Sequence, residues 1–122
     1  MSGKEDILNR SGIDAALADL PDWRYRQGSL VTVFKTPTAA AALKLIAAVG
    51  QLAEEQHHHP DLDWRYNRVF IRYTSHDAGT EVTQRDVAAA AAASRAAAAV
   101  SATAEPGRYR SAEIASEPAN PD

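Results

Sequence analysis

Two β-rich segments, each doubled back on itself and each followed by an unbroken helical run, leave this chain few ways to fold. The first pair is Trp23–Arg26 and Leu30–Phe34, set around Gln27-Gly28-Ser29, which reads as a hairpin. Thr36-Pro37 follows as a helix start, with Thr36 as N-cap and Pro37 at the first helical position. Residues 38–56 then carry Leu43, Ile46, Ala47, Val49, Leu52 and Ala53, an amphipathic helix that Gly50 weakens by about 1 kcal/mol relative to Ala. The second pair is Asp63–Tyr66 and Val69–Thr74 around Asn67-Arg68. Its alternation puts Trp64 with Tyr66 and Val69 with Ile71 and Tyr73, while Arg65, Phe70 and Arg72 point the other way. Thr83-Gln84-Arg85-Asp86 forms a capping box with Asp in place of Glu, and opens an alanine-dominated helix over 84–103. A short helix carrying Ile13, Ala16, Leu17 and Leu20, stopped by Pro21, precedes the whole series.

The expected fold is therefore α+β. A four-stranded antiparallel sheet carries helices packed on one face, in the order hairpin–helix–hairpin–helix after a short N-terminal helix. Such a sheet can leave its other face open to solvent or to another subunit. Alanines bury little surface each, so the last helix is expected to lie close to the sheet or to a partner helix. With 122 residues there is room for one domain. Residues 12–104 are expected to form it, between a flexible N-terminus at 1–11 and a disordered tail at 105–122 that has almost nothing to bury.

Composition removes several classes of function. A net charge of −3 argues against a nucleic-acid partner held by its phosphate backbone. No run approaches the roughly 20 apolar residues that span a bilayer, so no membrane partner is expected. Met1–Asp6 has no basic segment leading into an apolar core, and the expectation is a soluble cytoplasmic protein. The absence of cysteine excludes disulfides, thiolate metal sites and a cysteine nucleophile.

Chemistry then rests on histidine. His57-His58-His59-Pro60 ends the long helix, and His76 follows the second hairpin. Adjacent side chains in extended backbone point in opposite directions, so three consecutive histidines cannot all face one metal ion. Two of them would need a further ligand, such as His76 or Asp61, and a structural zinc site wants four. Proton transfer asks for less: imidazole titrates near neutrality, and two imidazoles on either side of a substrate can serve as acid and base without metal or cofactor. Glu54 and Glu55 stand in the last helical turn, where the helix dipole disfavours negative charge. One of these carboxylates is expected to have another task.

The stretch Glu54-Glu55-Gln56-His57-His58-His59-Pro60 resembles the Glu-x-x-x-His-His-Pro signature of pterin-4a-carbinolamine dehydratases. The resemblance continues through Tyr66-Asn67-Arg68-Val69, Thr74-Ser75-His76-Asp77, Gly79 and Thr83-x-x-Asp86, and upstream through Leu20-Pro21-x-Trp23 and Phe34-Lys35. It covers about residues 12–103. It implies an enzyme that dehydrates 4a-hydroxytetrahydrobiopterin to quinonoid dihydropterin, recycling the cofactor of an aromatic amino acid hydroxylase, with no metal and no cofactor of its own. By position, His58, His59 and His76 match the family's active-site histidines. His58 and His76 are assigned to acid–base work, and His59 to pterin binding and charge stabilisation. Glu54 and Asp86 match acids at the substrate site; Glu54 would orient a histidine, and Asp86 fits helix capping equally well. His57 reads as peripheral.

Two departures stand out. Leu62 occupies a position where many members have an aromatic residue, and the loop after His76 is one residue longer than in common relatives. Two other functions compete with the enzyme: a non-catalytic binding or scaffold module that retains the fold, and a metal-binding protein using the histidine tract. The family resemblance also implies a homodimer or homotetramer.

Overall fold

The computed structural model describes residues 7–109. A short helix α1 (Arg10–Ala18) leads into strands β1 (Arg24–Arg26) and β2 (Ser29–Lys35), helix α2 (Ala39–Gln56), strands β3 (Asp61–Arg65) and β4 (Arg68–Tyr73), helix α3 (Gln84–Ala99) and a two-residue strand β5 (Thr103–Ala104). All pairings are antiparallel, in the order β1-β2-β4-β3, with β5 added to β2. The expected α+β fold is the one observed. The inner strands of the two hairpins meet at the centre, which places the turn after β2 and the turn before β4 side by side. There Thr36 Oγ1 donates to Asn67 O and Asn67 Nδ2 donates to Thr36 O.

The helices cover one face. Leu30 and Phe34 of β2 and Val69, Ile71 and Tyr73 of β4 pack against Ala42, Leu45 and Val49 of α2 and Ala89, Ala90, Ala93 and Ala97 of α3. Small alanine side chains let α3 lie against both α2 and the sheet, as their number in the sequence suggested. Trp23 is sealed beneath α3: its Nε1 donates to Ser94 Oγ at 2.8 Å, and Ser94 donates in turn to Asp22 Oδ2 at 2.8 Å. Its ring meets Phe34 edge-on at 6.1 Å. Helix α1 ends at Ala18 with Asp19 as its C-cap, short of the expected stop at Pro21, and the Trp23 clamp anchors the start of β1.

Several boundaries differ from the sequence reading. Thr38, not Thr36, caps α2, accepting from Ala41 N; Thr36 is instead consumed by the hairpin contact just described. The buried stripe of α2 is Ala42, Leu45, Val49 and Ala53, so Leu43 faces outward and is half exposed. The second hairpin turns at Tyr66-Asn67, with Tyr66 at φ 55°. Helix α3 stops at Ala99 rather than 103, because Ser101 adopts φ 60° and reverses the chain toward the edge of β2.

The two ends are more ordered than their composition suggested. Residues 1–6 and 110–122 lie outside the described residues, but Ile7 bridges to Thr83 and Asn9 caps α1 by accepting from Gly12 N. At the other end, residues 105–109, expected in a tail, form a 3₁₀ turn (Pro106–Arg108) on the sheet's outer face, where Tyr109 packs with Val33 and Phe70. Among the described residues no helix is long and apolar enough to cross a membrane.

Gly28 is the tightest point of the first hairpin. Its φ is 79°, beside Gln27 at 45°, as a two-residue type I′ connection requires. A Cβ at this position would sit 2.2 Å from the carbonyl oxygen of Thr80. Gly50, in contrast, has open space around it. Gly28→Ala is therefore expected to lower unfolding free energy by about 2 kcal/mol or more in urea titrations. Gly50→Ala should raise it by about 0.5–1 kcal/mol through helix propensity.

Candidate active site

Helix α2 ends at His57, whose left-handed backbone (φ 52°) acts as the C-cap and turns the chain. That reversal separates the three neighbours. His57 and His59 face outward, while His58 is carried inward and is 8% exposed. Pro60 then prevents helical continuation and starts the run into β3.

His58 enters a buried polar cluster organised by Asp86, which is completely inaccessible to solvent. His58 Nε2 lies 2.5 Å from Asp86 Oδ1. Asp86 Oδ2 accepts from Ser75 Oγ at 2.8 Å and from the backbone N–H of Thr83 at 2.9 Å. Ser75 has one hydroxyl proton and gives it to Asp86, so the 2.8 Å contact between Ser75 and Thr83 has Thr83 Oγ1 as donor. Thr83 Oγ1 also accepts from Arg85 N, completing the capping box that the sequence suggested. One carboxylate thus joins the end of α2, the end of β4 and the start of α3.

This arrangement fixes the chemistry of the ring. A carboxylate only accepts, so Nε2 of His58 carries a proton. In the neutral ring Nδ1 then bears the lone pair, and it makes no hydrogen bond among the described residues. Asp86 thereby holds the ring in a single tautomer. Tyr73 backs the ring, stacked at 6.0 Å with 12° between the planes. Burial first, and the Asp86 charge second, push the Tyr73 phenol up to about 12.

The other anticipated residues occupy the surface beside this cluster. His59 Nε2 lies 2.7 Å from Glu54 Oε2, one turn back on α2, and both side chains are exposed. That bond, and the His59 charge when present, hold the Glu54 carboxyl below the usual carboxylate range. Glu54 is thus the helix-end acid with a second task, whereas Glu55 accepts from Gln51 within the helix. His76 begins a 3₁₀ turn (His76–Ala78) and is exposed. It follows Ser75, so the residue that anchors its loop is a ligand of the same Asp86 carboxylate.

The structure therefore joins His58 to Asp86 and His59 to Glu54, and places His76 next to the first pair through the backbone. It makes no hydrogen bond between any two of the three histidines. His57 is a helix cap. Among the described residues, no group of three or more His, Asp or Glu side chains is arranged to hold a metal ion.

Sequence reading assigned no part in the site to Ser75 or the Arg85–Asp77 pair, and took Tyr73 as a core or interface residue. Arg85 grips Asp77 through its two terminal guanidinium nitrogens, at 2.8 and 2.9 Å, and this bond keeps the Asp77 carboxyl below its usual range. The pair closes the 3₁₀ turn that presents His76. Its signal was the position of Asp77 and Arg85 beside His76 and Asp86, but pairing across eight residues of loop is not readable from spacing.

Comparison with known proteins identifies the family. The model of the family described as pterin 4 alpha carbinolamine dehydratase matches residues 6–96. A protein of Chloroflexus aurantiacus assigned by name to the pterin-4-alpha-carbinolamine dehydratases is 42% identical over 85 residues, covering 70% of this chain and 90% of the relative. One of Mycobacterium leprae assigned the same name is 39% identical over 82 residues, covering 66% and 85% respectively. A crystal structure from Brucella melitensis, titled transcriptional coactivator/pterin dehydratase, superposes with a TM-score of 0.72 at 26% identity, over 75% of this chain and 99% of that one.

The Tyr73 phenol gives this site a readable pH signature. It is harder to ionise folded than unfolded, so the stability it contributes is complete below about pH 10 and is lost as pH rises through about 12. Its oxygen has no hydrogen-bond partner among the described residues. Tyr73→Phe should therefore remove that alkaline loss and change stability near pH 7 by less than about 1 kcal/mol. Denaturant midpoints measured from pH 7 to 12 test both expectations.

Proposed function

This chain belongs to the pterin-4a-carbinolamine dehydratase family, and from that premise we propose that it dehydrates 4a-hydroxytetrahydrobiopterin to quinonoid dihydropterin and water. The observation that carries the reading is the His58–Asp86 pair, one imidazole held by a buried carboxylate with Nδ1 left uncommitted.

The chemistry is a balanced elimination. The C4a–O bond breaks as the hydroxyl takes a proton from a general acid and leaves as water. The N5 proton passes to a general base, and its bonding electrons form the C4a=N5 double bond. No electrons are exchanged with another reagent, and no atom other than those of water leaves the pterin. Hydroxide is a poor leaving group and the N5 proton is weakly acidic, so each half gains from a group that titrates near neutrality.

We assign these halves to His58 and His76. His58 acts through Nδ1, and Asp86 keeps its other nitrogen protonated throughout the cycle. His76 acts from the 3₁₀ turn that Ser75 and the Arg85–Asp77 pair hold in place. His59, backed by Glu54, binds the pterin and offsets developing charge. The position of Leu62 supports a looser hold on the pterin ring than an aromatic side chain would give. Such an enzyme serves an aromatic amino acid hydroxylase, the source of the 4a-hydroxy compound. Half-exposed Trp64 and Leu43 and partly exposed Leu62 supply apolar surface that favours a homodimer or homotetramer.

In a coupled hydroxylase assay with chelator present, the purified protein should accelerate decay of the 4a-hydroxytetrahydropterin intermediate. Decay at the uncatalysed rate would refute the assignment, and activity lost with a stoichiometric metal would replace it by metal chemistry. His58→Ala and His76→Ala should each lower turnover by about 10²–10⁴-fold. His57→Ala should leave it unchanged. Light scattering should return a mass of two or four chains, and a monomer would refute the assembly.

A further inference from the structure

The helix-free face of the sheet is not bare. After α3 the chain reverses at Ser101, pairs Thr103–Ala104 with the edge of β2, and Glu105 N donates to Val33 O at 2.7 Å. The Glu105 carboxylate then takes Arg68 Nε at 2.9 Å and Arg108 Nε at 3.1 Å. Tyr109 lies on Phe70, with ring centroids 6.2 Å apart. Val33 is fully buried and Phe70 is 7% exposed, so this small contact is a second apolar cluster, separate from the main core.

Three observations give this contact a purpose beyond filling space. First, its strap, residues 103–109, lies outside residues 6–96, the part of the chain that matches the family model. Second, one row of the face is cationic in a chain of net charge −3: β-sheet register puts Lys35, Arg68 and Arg65 side by side, and Asp63 pairs with Arg65 at 2.9 Å, leaving Arg68 to the strap. Third, the occupant complements it, offering one carboxylate to Arg68 and one aromatic ring to Phe70, four residues apart. Backbone pairing along a strand edge with side-chain anchors at fixed spacing is how extended peptides bind sheets.

We propose that the outer sheet face around Val33, Arg68 and Phe70 is a docking surface for a peptide that pairs briefly with the edge of β2 and then makes a 3₁₀ turn bearing an acid at its start and, four residues on, an aromatic ring, and that residues 103–109 occupy it in cis. The covalent link gives this strap an effective concentration in the millimolar range, so an external segment of the same kind is excluded until the strap is released. Val33, Arg68, Phe70 and the strap stand on the face of the sheet opposite His58, so release leaves the proton-transfer site intact. Arg68 and Arg108 also hold the Glu105 carboxyl below its usual range, in keeping with a preference for an anion at that point.

The test uses the full-length chain and a synthetic peptide of residues 102–110 as probe, followed by backbone NMR. In the wild type, the peptide should leave the Val33 and Phe70 signals unmoved up to millimolar concentration. In a full-length chain carrying Glu105→Arg and Tyr109→Ala, the same signals should shift saturably, with at least about tenfold tighter binding. A peptide with its Glu and Tyr replaced by Gln and Ala should not compete. Equal responses in the two proteins, or none in the variant up to several millimolar, would overturn the proposal.

Amide exchange at Glu105 provides the second reading, independent of any peptide. Glu105→Arg alone should accelerate it at least about tenfold, and adding Arg68→Glu should restore most of the protection. Failure of the reversed pair to restore it would refute the ion pair as the latch. Dehydratase turnover should stay at the wild-type level in every strap variant. A strap exchanged between two copies, seen as a dimer that Glu105→Arg dissociates, would overturn the cis assignment.

Discussion

A single buried carboxylate organises this molecule. Asp86 is withdrawn from water, and such a charge is tolerated only where hydrogen-bond donors replace the solvent. Three donors converge on it from three different elements: the ring of His58 after α2, the hydroxyl of Ser75 after β4, and the backbone N–H of Thr83 at the start of α3. Each of those groups needs Asp86 as much as Asp86 needs them. The N–H of Thr83 would otherwise be an unsatisfied group at a buried helix terminus. The requirement that closes the fold at this end is therefore the same one that orients the imidazole.

The two faces of the sheet divide the work. On the helix side, Tyr73 stacks on His58 and links the His58–Asp86 cluster to the Trp23 clamp beneath α3, its ring 5.7 Å from Trp23. On the far side, the strap at 103–109 covers Val33 and Phe70. Strand alternation alone separates them, since Val69, Ile71 and Tyr73 face the helices while Phe70 faces the strap. β2 and β4, the two inner strands, both carry side chains to each face, and the chain of α3 continues directly into the strap.

Much of this was legible in the amino-acid sequence, and the parts that were not share a cause. Strand periodicity gave the hairpins and correctly turned Phe70 away from Val69 and Ile71. The Thr83–Asp86 spacing gave the cap of α3. The histidines were recognisable as a group, and so was the anomaly of acids at the end of α2. What could not be read was which histidine turns inward, because that depends on the left-handed backbone at His57. Asp86 suited either a cap or a site; the structure uses Oδ2 in the cap of α3 and Oδ1 to hold His58. Leu43 was expected on the buried stripe of α2, but the sheet meets α2 along Ala42, Leu45 and Val49 instead. The order at 105–109 was hidden because it comes from a free strand edge and one arginine distant in sequence, not from any hydrophobic pattern of its own.

If Asp86 makes His58 the reacting imidazole of a dehydratase, the decisive variant is Asp86→Asn, read by its turnover of 4a-hydroxytetrahydropterin. Asparagine can still accept from Thr83 N and Ser75, but its amide group turned toward His58 would impose the other tautomer on the ring. Turnover should therefore fall by about 10²–10⁴-fold in a protein whose near-UV circular dichroism remains native. A folded Asp86→Asn protein that dehydrates the substrate at the wild-type rate would show that the carboxylate does not set the chemistry of the ring.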